Sequence, residues 1–226
     1  MSLVESSFVD RVAVLVMDDG KVNALSPAML RELGGALDRA EKNDDIVAVV
    51  VAGRPGRFSA GFDLAVLRAG GSEAEGMLRG GFELAERLLT FPRPVVIACT
   101  GHAIAMGSFL LCSGDYRIGA DGDFKIQANE VAIGLTMPYT ALALARYRLS
   151  PAAFDRAVGL SVAFTPSDAV AAGWLDEVVG PEDVLPTAQA TAASFAGLDL
   201  AAHAASKERA RATVVAELRR GIESGA

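Results

Sequence analysis

Short apolar runs recur along the chain, and their length and composition predict buried β-strands. Residues 11–17, 46–52 and 94–99 are dominated by aliphatic side chains, and each run is bounded by polar residues or glycine. An apolar run of this length with many β-branched residues is typical of a strand that is covered on both faces of a sheet. Shorter runs at residues 116–118 and 177–179 predict two further strands.

Between these runs, apolar residues repeat with helical spacing behind recognisable helix starts. Ser26 and Pro27 are typical of an N-cap followed by the first helical position. The residues that then share one helix face are Met29, Leu30, Leu33, Leu37 and Ala40. The same reasoning predicts helices at residues 73–90, 138–148 and 151–158. It also predicts a short helix capped by Thr165 and an alanine-rich helical pattern over residues 181–226.

The order of these elements predicts an α/β fold. Strand, helix and strand over residues 11–52 form a βαβ unit, which implies parallel strands and a right-handed crossover. The pattern changes at Thr165, after which nearly every segment is helical. We therefore expect a core of residues 1–164 followed by a helical C-terminal region of residues 165–226.

Composition narrows the class of protein. With 226 residues, of which 51% are hydrophobic, the chain can bury one substantial core. The formal net charge of -7 makes a long anionic polymer an unfavourable partner, so we expect no nucleic-acid binding. No apolar run reaches the roughly 18–20 residues of a membrane span, and residues 1–9 do not resemble a secretory signal.

The two cysteines agree with a reducing compartment. Cys99 and Cys112 both lie in apolar segments, where a cysteine behaves as a small hydrophobic side chain rather than as half of a disulfide. Together with the absence of a signal or a span in the pattern, this predicts a cytoplasmic protein that does not enter a membrane.

The candidate chemistry is concentrated in residues 94–134. The strand at the start of this stretch leads into a run of small residues, 101–108, that opens an apolar helix. Glycine in such a turn lets the backbone approach a ligand, and the first N–H groups of a helix lack intrahelical acceptors. These N–H groups can donate hydrogen bonds to an oxygen atom that becomes negatively charged during a reaction. Glu130 lies between Asn129 and an apolar run, where burial raises a carboxyl pKa toward that of a useful base. Oxyanion donors and one carboxylate indicate proton transfer beside a carbonyl.

Several motifs, in order along nearly the whole chain, resemble those of the crotonase superfamily, the enoyl-CoA hydratases and isomerases. Residues 57–64 read RFSAGFDL, and residues 94–120 combine an apolar strand, a small-residue turn and the strand-like end DYRIGA. Further matches are KVNAL at residues 21–25, the turn at 129–131, and AAGWLDEVV at 171–179. The resemblance implies a spiral of ββα units with a C-terminal helical region that mediates trimerisation, as a homotrimer or a dimer of trimers.

The resemblance also assigns roles to individual residues in an enzyme of fatty acid metabolism that acts on acyl-CoA. The backbone N–H groups of Phe62 and Met106 are expected to form the oxyanion hole, and Glu130 is expected to be the general base. The residues expected to contact the substrate are Lys21, Val22, Ala24, Ser59, Ala60, Gly61, Asp63, Leu64, Gly107 and Phe109. Coenzyme A is then part of the substrate, and neither a separate cofactor nor a metal ion is expected.

Two departures from the family pattern affect the expected reaction. Where many relatives have three glycines, this chain has Ala105, Met106 and Gly107, so a methionine side chain narrows the pocket. Phe109 stands where hydratases of the family place a second glutamate, which favours a Δ3-Δ2-enoyl-CoA isomerase. An enoyl-CoA hydratase is the alternative, and a non-catalytic acyl-CoA-binding protein is a second one.

Other polar residues have simpler explanations than catalysis. His102 and His203 have no carboxylate or cysteine at ligand spacing, so they do not predict a metal site. Asp115 lies at a helix-to-strand junction and is predicted to be a cap. Asp63 could orient the oxyanion hole, but the simpler interpretation is that it caps a helix. Among basic residues, Arg54, Arg57 and Lys207 are candidates to meet CoA phosphates, with solvated surface residues as the alternative.

Overall fold

In the computed structural model, which describes residues 2–225, eleven strands are combined with nine α-helices. The strands are β1 (Val4–Val9), β2 (Val12–Met17), β3 (Ala24–Leu25), β4 (Ala48–Ala52), β5 (Gly56–Ser59), β6 (Gly61–Phe62), β7 (Val95–Cys99), β8 (Gly101–Ile104), β9 (Tyr116–Ala120), β10 (Ile126–Gln127) and β11 (Glu177–Val179). The helices are α1 (Pro27–Lys42), α2 (Leu64–Ala69), α3 (Gly71–Thr90), α4 (Met106–Leu111), α5 (Tyr139–Arg148), α6 (Pro151–Leu160), α7 (Pro166–Ala172), α8 (Val184–Ser194) and α9 (Leu200–Ser224).

The main sheet has the strand order β1-β2-β4-β7-β9-β11. β1 forms an antiparallel hairpin with β2, and the remaining neighbours pair in parallel, including the predicted βαβ pair β2 and β4. β4 and β7 are buried along their whole length, as expected for strands covered on both faces. Leu33 and Leu37 of α1 belong to the core on one face, and Val184 and Ala188 of α8 belong to the core on the other. The α/β fold expected from the sequence is confirmed.

A second, smaller parallel sheet has the order β10-β8-β5, and β3 pairs with β6 beside it. The glycine and polar residues of 53–61 predict a loop, and residues 101–104 were predicted as part of a turn. Both predictions were wrong because these segments contain β5 and β8. The strand β1 was not predicted either. These strands are short, or are rich in glycine and polar residues, so they lack the continuous apolar run that signals a buried strand.

The C-terminal helix α9 packs against α3 and α5 of its own chain and is fastened by a buried cluster of charges. The carboxylate of Asp115 lies 2.6 Å from Lys207 Nζ and 2.7 Å from Arg211, and it also accepts the Val95 N–H at 2.7 Å. Asp115 was predicted to be a cap, but it pairs the core with α9 instead. Lys207 is buried in this pair, so it is unavailable to CoA phosphates.

Helix α7 has the local signals that the sequence indicated. Thr165 accepts the N–H of Asp168 at the start of α7, and Gly173 ends the helix with a φ of +96°. Although they lie beyond residue 165, β11 pairs with β9 of the main sheet and α8 covers one face of it. Whether residues 165–226 mediate trimerisation stays a prediction.

Both cysteines are buried free thiols, and burial raises the pKa of each to about 12. Thiols that ionise so weakly are poor nucleophiles, which agrees with their interpretation as small core side chains. Within residues 2–225, no helix combines the length and apolarity that a membrane crossing requires.

Candidate active site

Three predicted site residues follow the three strands of the small parallel sheet. β5, β8 and β10 all run in one direction, so their carboxyl ends lie at the same edge. Phe62 comes shortly after β5, Met106 after β8 and Glu130 after β10. The N–H of Ala105 donates to the carbonyl of Gln127 at 2.8 Å, which ties the ends of β8 and β10 together. The carboxyl edge of a parallel sheet is a common position for ligand sites.

The turn from β8 into α4 is held by Ala105 in an unusual conformation. Ala105 has φ +51° and ψ -126°, a region of the backbone map that favours glycine. Its carbonyl accepts the Ser108 N–H at 2.8 Å and the Ser108 hydroxyl at 2.7 Å. The next residue, Met106, contributes the first N–H of α4, which has no acceptor within its own helix. The role of Ala105 was missed, although an alanine at a glycine position of the family was the available signal.

Glycine lets the two backbone segments of the expected oxyanion hole touch. Gly61 has φ +85°, and a β-carbon on it would lie 2.9 Å from the Ala105 side chain and 3.2 Å from Met106 N. A β-carbon on Gly107 would lie 2.5 Å from the carbonyl oxygen of Ser59. Side chains at either position would force the segments apart. The structure therefore brings the backbone around Phe62 against the start of α4.

The side chains of the two expected donors form walls rather than reacting groups. The Phe62 ring packs edge-on against the Phe82 ring, with 6.2 Å between the ring centroids. A β-carbon on Gly81 would lie 2.3 Å from the Phe62 ring. Met106 is buried. Neither side chain therefore stands free as a reacting group, because Met106 lies in the core and Phe62 packs against it.

Glu130 lies at the start of a single 3-10 turn, Val131–Ile133. Burial raises the pKa of its carboxyl group, and a hydrogen bond to its own backbone N–H opposes that change. Within residues 2–225, its Oε2 atom is buried and has no hydrogen-bond partner, and the same is true of Asn129 Oδ1. The Glu130 carbonyl accepts the N–H of Leu135 at 2.9 Å, which fixes the backbone. A buried carboxyl group with a raised pKa is suited to act as a general base.

Two segments expected to contact CoA lie side by side. β3 and β6 pair in parallel, with Ala24 opposite Gly61. The Ala60 N–H donates to the Val22 carbonyl at 3.0 Å, and the Ser59 hydroxyl donates to the carbonyl of Asn23 at 2.7 Å. Lys21, Val22 and Ala60 are exposed along this strip. The structure thus joins residues 21–24 and 59–62 into one surface.

Asn23 and Asp19 organise this surface, and the sequence interpretation missed both. Asn23 has φ +54° and is fully buried, and its side-chain amide donates to the carbonyls of Met17, Arg57 and Phe58. The Asp19 carboxylate accepts the N–H groups of residues 21, 23 and 24. Burial acts to raise the pKa of Asp19, but these hydrogen bonds and the charge of Arg54 outweigh it, so the pKa is lowered. Asparagine is favoured in turns because it tolerates positive φ, so an asparagine in this short segment was the available signal.

The remaining predicted residues have mixed environments. Asp63 caps α2 by accepting the Ala65 N–H at 2.8 Å, so its capping interpretation is confirmed, and Leu64 beside it is exposed. Phe109 is only 1% exposed, and its ring lies 6.4 Å from that of Trp174 in the core. Arg57 is exposed. Among residues 2–225, no three His, Cys, Asp or Glu side chains are grouped as metal ligands.

Comparison with known proteins identifies relatives along almost the entire chain. The profile of the enoyl-CoA hydratase/isomerase family matches residues 8–225. A probable enoyl-CoA hydratase of Mycobacterium avium is 34% identical over 210 residues, which cover 92% of this chain and 80% of that protein.

Solved structures agree. The structure of a Mycobacterium tuberculosis enoyl-CoA isomerase has 50% identity and a TM-score of 0.95, and the match covers 99% of this chain and 97% of that one. Human mitochondrial Δ3-Δ2-enoyl-CoA isomerase has 27% identity and a TM-score of 0.90, with 99% and 92% covered. The relatives therefore include proteins named as hydratases and proteins named as isomerases.

Proposed function

The chain is an enzyme of the enoyl-CoA hydratase/isomerase family, and we propose that it converts 3-enoyl-CoA into 2-enoyl-CoA with Glu130 as its only base. Because the relatives carry both names, the choice between isomerisation and hydration depends on the site of this chain. The observation that carries the proposal is the isolation of the Glu130 carboxyl group.

That isolation is visible in the surroundings of the carboxyl group. Within residues 2–225, Glu130 Oε2 is buried without a hydrogen-bond partner, and burial raises the pKa of the group. Two carboxylates that share a site would raise one of the two pKa values by repulsion. Phe109, at the position that the resemblance gives to a second glutamate, is instead an apolar residue packed in the core. A single base suits a proton shift, whereas water addition needs a partner group.

The reaction begins with the thioester oxygen between the N–H groups of Phe62 and Met106. The Glu130 carboxylate removes a proton from C2, and the electron pair shifts onto the thioester oxygen to give a dienolate. The protonated Glu130 then returns the proton at C4 as the double bond forms between C2 and C3. The base is regenerated, so the reaction needs no cofactor besides the CoA that the substrate carries.

The site residues contribute to the rate in different ways. A positioned general base typically contributes about 10²–10⁴-fold, and one oxyanion-hole donor about 10²–10³-fold. The expected donors are backbone groups, so side-chain substitution does not remove them. The strip that joins residues 21–24 to 59–62 holds the CoA part, with Lys21, Val22, Ala24, Ser59 and Leu64 beside it. Glu130 is therefore the residue to test.

The decisive experiment compares 3-enoyl-CoA and 2-enoyl-CoA as substrates for the wild type and for Glu130→Gln. We expect the wild type to isomerise the 3-enoyl substrate with slow hydration of the 2-enoyl substrate. Glu130→Gln should lose about 10²–10⁴-fold in kcat because the base is gone. Glu208→Gln, an exposed glutamate on α9, is the matched control and should keep full activity.

Other outcomes would contradict the proposal in different ways. Fast hydration by the wild type would show that another group positions water, and the enzyme would be a hydratase. Tight binding of acyl-CoA without either reaction would indicate an acyl-CoA-binding protein. Full isomerase activity in Glu130→Gln would remove Glu130 from the mechanism.

A further inference from the structure

Glu130 lies in a base turn, residues 129–136, that packing within one chain does not hold. From position 131 onward every residue of this turn is exposed, and its internal backbone hydrogen bonds only close it on itself. Among residues 2–225, a single hydrogen bond joins the base turn to the rest of the chain. The Ala132 N–H donates to the hydroxyl oxygen of Ser161 at 3.1 Å. The position of the base therefore depends on Ser161.

Ser161 also contacts the chain on the other side of Glu130. The side-chain amide of Gln127, three residues before the base, donates to the Ser161 carbonyl at 2.7 Å. The Gln127 carbonyl in turn accepts the N–H of Ala105, in the turn that opens α4, at 2.8 Å. Hydrogen bonds from Ser161 thus flank the base on both sides, and on one side they continue to the turn of the expected oxyanion hole.

The residue that holds the base turn is itself fixed. Ser161 is only 7% exposed, follows helix α6 and donates its N–H to the Arg156 carbonyl in that helix. Three residues further on, Phe164 exchanges two backbone hydrogen bonds with Ile126 of β10, at 2.9 and 3.0 Å. The loop after α6 is therefore attached to the strand that leads to Glu130, and Ser161 is a rigid anchor.

The backbone of Ser161 has a conformation that favours glycine. Its φ of +49° and ψ of +37° lie in the left-handed region, where glycine is the usual residue at the end of a helix. Glycine would fit this backbone but would lack the hydroxyl that accepts the Ala132 N–H. Strained residues of this kind cluster at functional sites. We propose that Ser161 is a positioning residue, which clamps the base turn on both sides of Glu130 and sets the base against the oxyanion hole.

This role rests on the proposed function, because it concerns the base that moves the proton. Glu130 must reach C2 and then C4 of one bound substrate, and a displacement of about 1 Å at a reacting group can cost about 10²-fold in rate. The clamp also keeps the carboxyl group buried, which raises its pKa. A released turn would admit water and lower that pKa toward the ordinary value of 4.5. Loss of the clamp should therefore change both the rate and its pH dependence.

Two substitutions delete the Ser161 hydroxyl but differ in stability. Ser161→Ala keeps the backbone strain and Ser161→Gly relieves it, so the glycine variant should unfold at a temperature about 2–4 °C higher than the alanine variant. Thr165→Ala is the matched control, because the Thr165 hydroxyl accepts the Asp168 N–H of its own helix, at 3.2 Å, outside the clamp. Loss of this helix cap should lower the unfolding temperature without changing the site.

The first measurement is deuterium uptake by mass spectrometry, which needs no turnover. Both Ser161 variants should exchange the amide hydrogens of the base turn roughly 2–10-fold faster than the wild type, the usual effect of one hydrogen bond. Both should lose about 10–100-fold in kcat at nearly constant KM, because the strip of residues 21–24 and 59–62 is intact. The acid limb of kcat/KM should move toward pH 4.5 in both. Thr165→Ala should match the wild type in all three measurements.

These measurements separate positioning from stability. A loss of kcat that follows the unfolding temperature, with Ser161→Gly fully active, would overturn the proposal, and so would an equal loss in Thr165→Ala. Faster exchange with unchanged kcat and an unchanged acid limb would also overturn it. Unchanged exchange in both Ser161 variants would do so whether or not the wild type isomerises 3-enoyl-CoA. If the wild type hydrates 2-enoyl-CoA instead, the proposed reaction fails, but equal losses of hydration in both Ser161 variants would still support the clamp.

Discussion

At the scale of the residue, Glu130 links activity to stability through its pKa. Burial raises that pKa above the ordinary value of 4.5, so the folded state holds the proton more readily than the unfolded state. The carboxyl group thus costs stability once it ionises, as pH rises from 4.5 through the folded pKa. We expect Glu130→Gln to be inactive but about 0.5–2 kcal/mol more stable than the wild type at neutral pH.

Urea denaturation of both proteins between pH 8 and pH 4.5 measures this difference, which should shrink as the pH falls. The wild-type kcat/KM should be constant at high pH and fall about tenfold per unit below a pKa higher than 4.5. A variant less stable than the wild type at neutral pH, or an acid limb at or below 4.5, would contradict the assignment of a buried base.

Ala105 shows what a single backbone conformation costs at this site. A residue other than glycine at φ +51° and ψ -126° carries about 1–3 kcal/mol of strain, while a new glycine loses about 0.4–1 kcal/mol through the unfolded state. Ala105→Gly should therefore stabilise the protein by about 0.5–2 kcal/mol. Ala105→Val should destabilise the protein because a β-branched residue disfavours this conformation. It should also reduce kcat, because a change in the backbone at residue 105 would redirect the N–H of Met106. Thermal unfolding checks both, and a less stable glycine variant would disprove the strain.

At the scale of the element, the sequence correctly predicted those helices and strands whose positions depend on residues within or next to the element. Ser26 accepts the Met29 N–H at the start of α1, as its capping position implied, and Glu177–Val179 forms β11 within the predicted limits. The short strands β5 and β8 depend on each other's backbone hydrogen bonds, which no local pattern encodes. For the same reason the role of Asp115 was misjudged, because its partners Lys207 and Arg211 lie about ninety residues further along the chain.

The attachment of α9 gives a prediction at this scale. Lys207 and Arg211 are 4% and 6% exposed, and burial lowers the pKa of Lys207 to about 8 although Asp115 opposes the change. Asp115→Asn would leave two buried cations without a counter-charge and should cost about 3–5 kcal/mol in urea denaturation. Arg219→Ala breaks the exposed pair of Arg219 with Glu86 and should cost at most about 1 kcal/mol. Similar losses in both variants would show that the buried cluster does not fasten α9.

At the scale of the whole molecule, the α/β class followed from the pattern, whereas the arrangement of the site followed from the family resemblance. Continuous apolar runs identified the buried strands of the main sheet, because each strand buries its own side chains on both faces. No periodicity places Phe62, Met106 and Glu130 at one edge, because the small sheet that gathers them consists of two to four residues per strand. Motif order supplied that information.

The resemblance to the family predicts that the whole molecule assembles as a homotrimer or a dimer of trimers. Val131, Ile133 and Leu135, directly after the base, are 42%, 56% and 53% exposed, and neighbouring exposed apolar side chains often mark a protein interface. We therefore expect light scattering to give a mass of at least three times the 23.4 kDa of one chain. Ile133→Asp should dissociate the assembly and lower activity, because the covered segment adjoins Glu130. Phe8→Asp, at a 51% exposed site on β1, should leave it intact. Dissociation by Phe8→Asp alone would place the contacts away from residues 131–135, and a monomeric wild type would refute the predicted assembly.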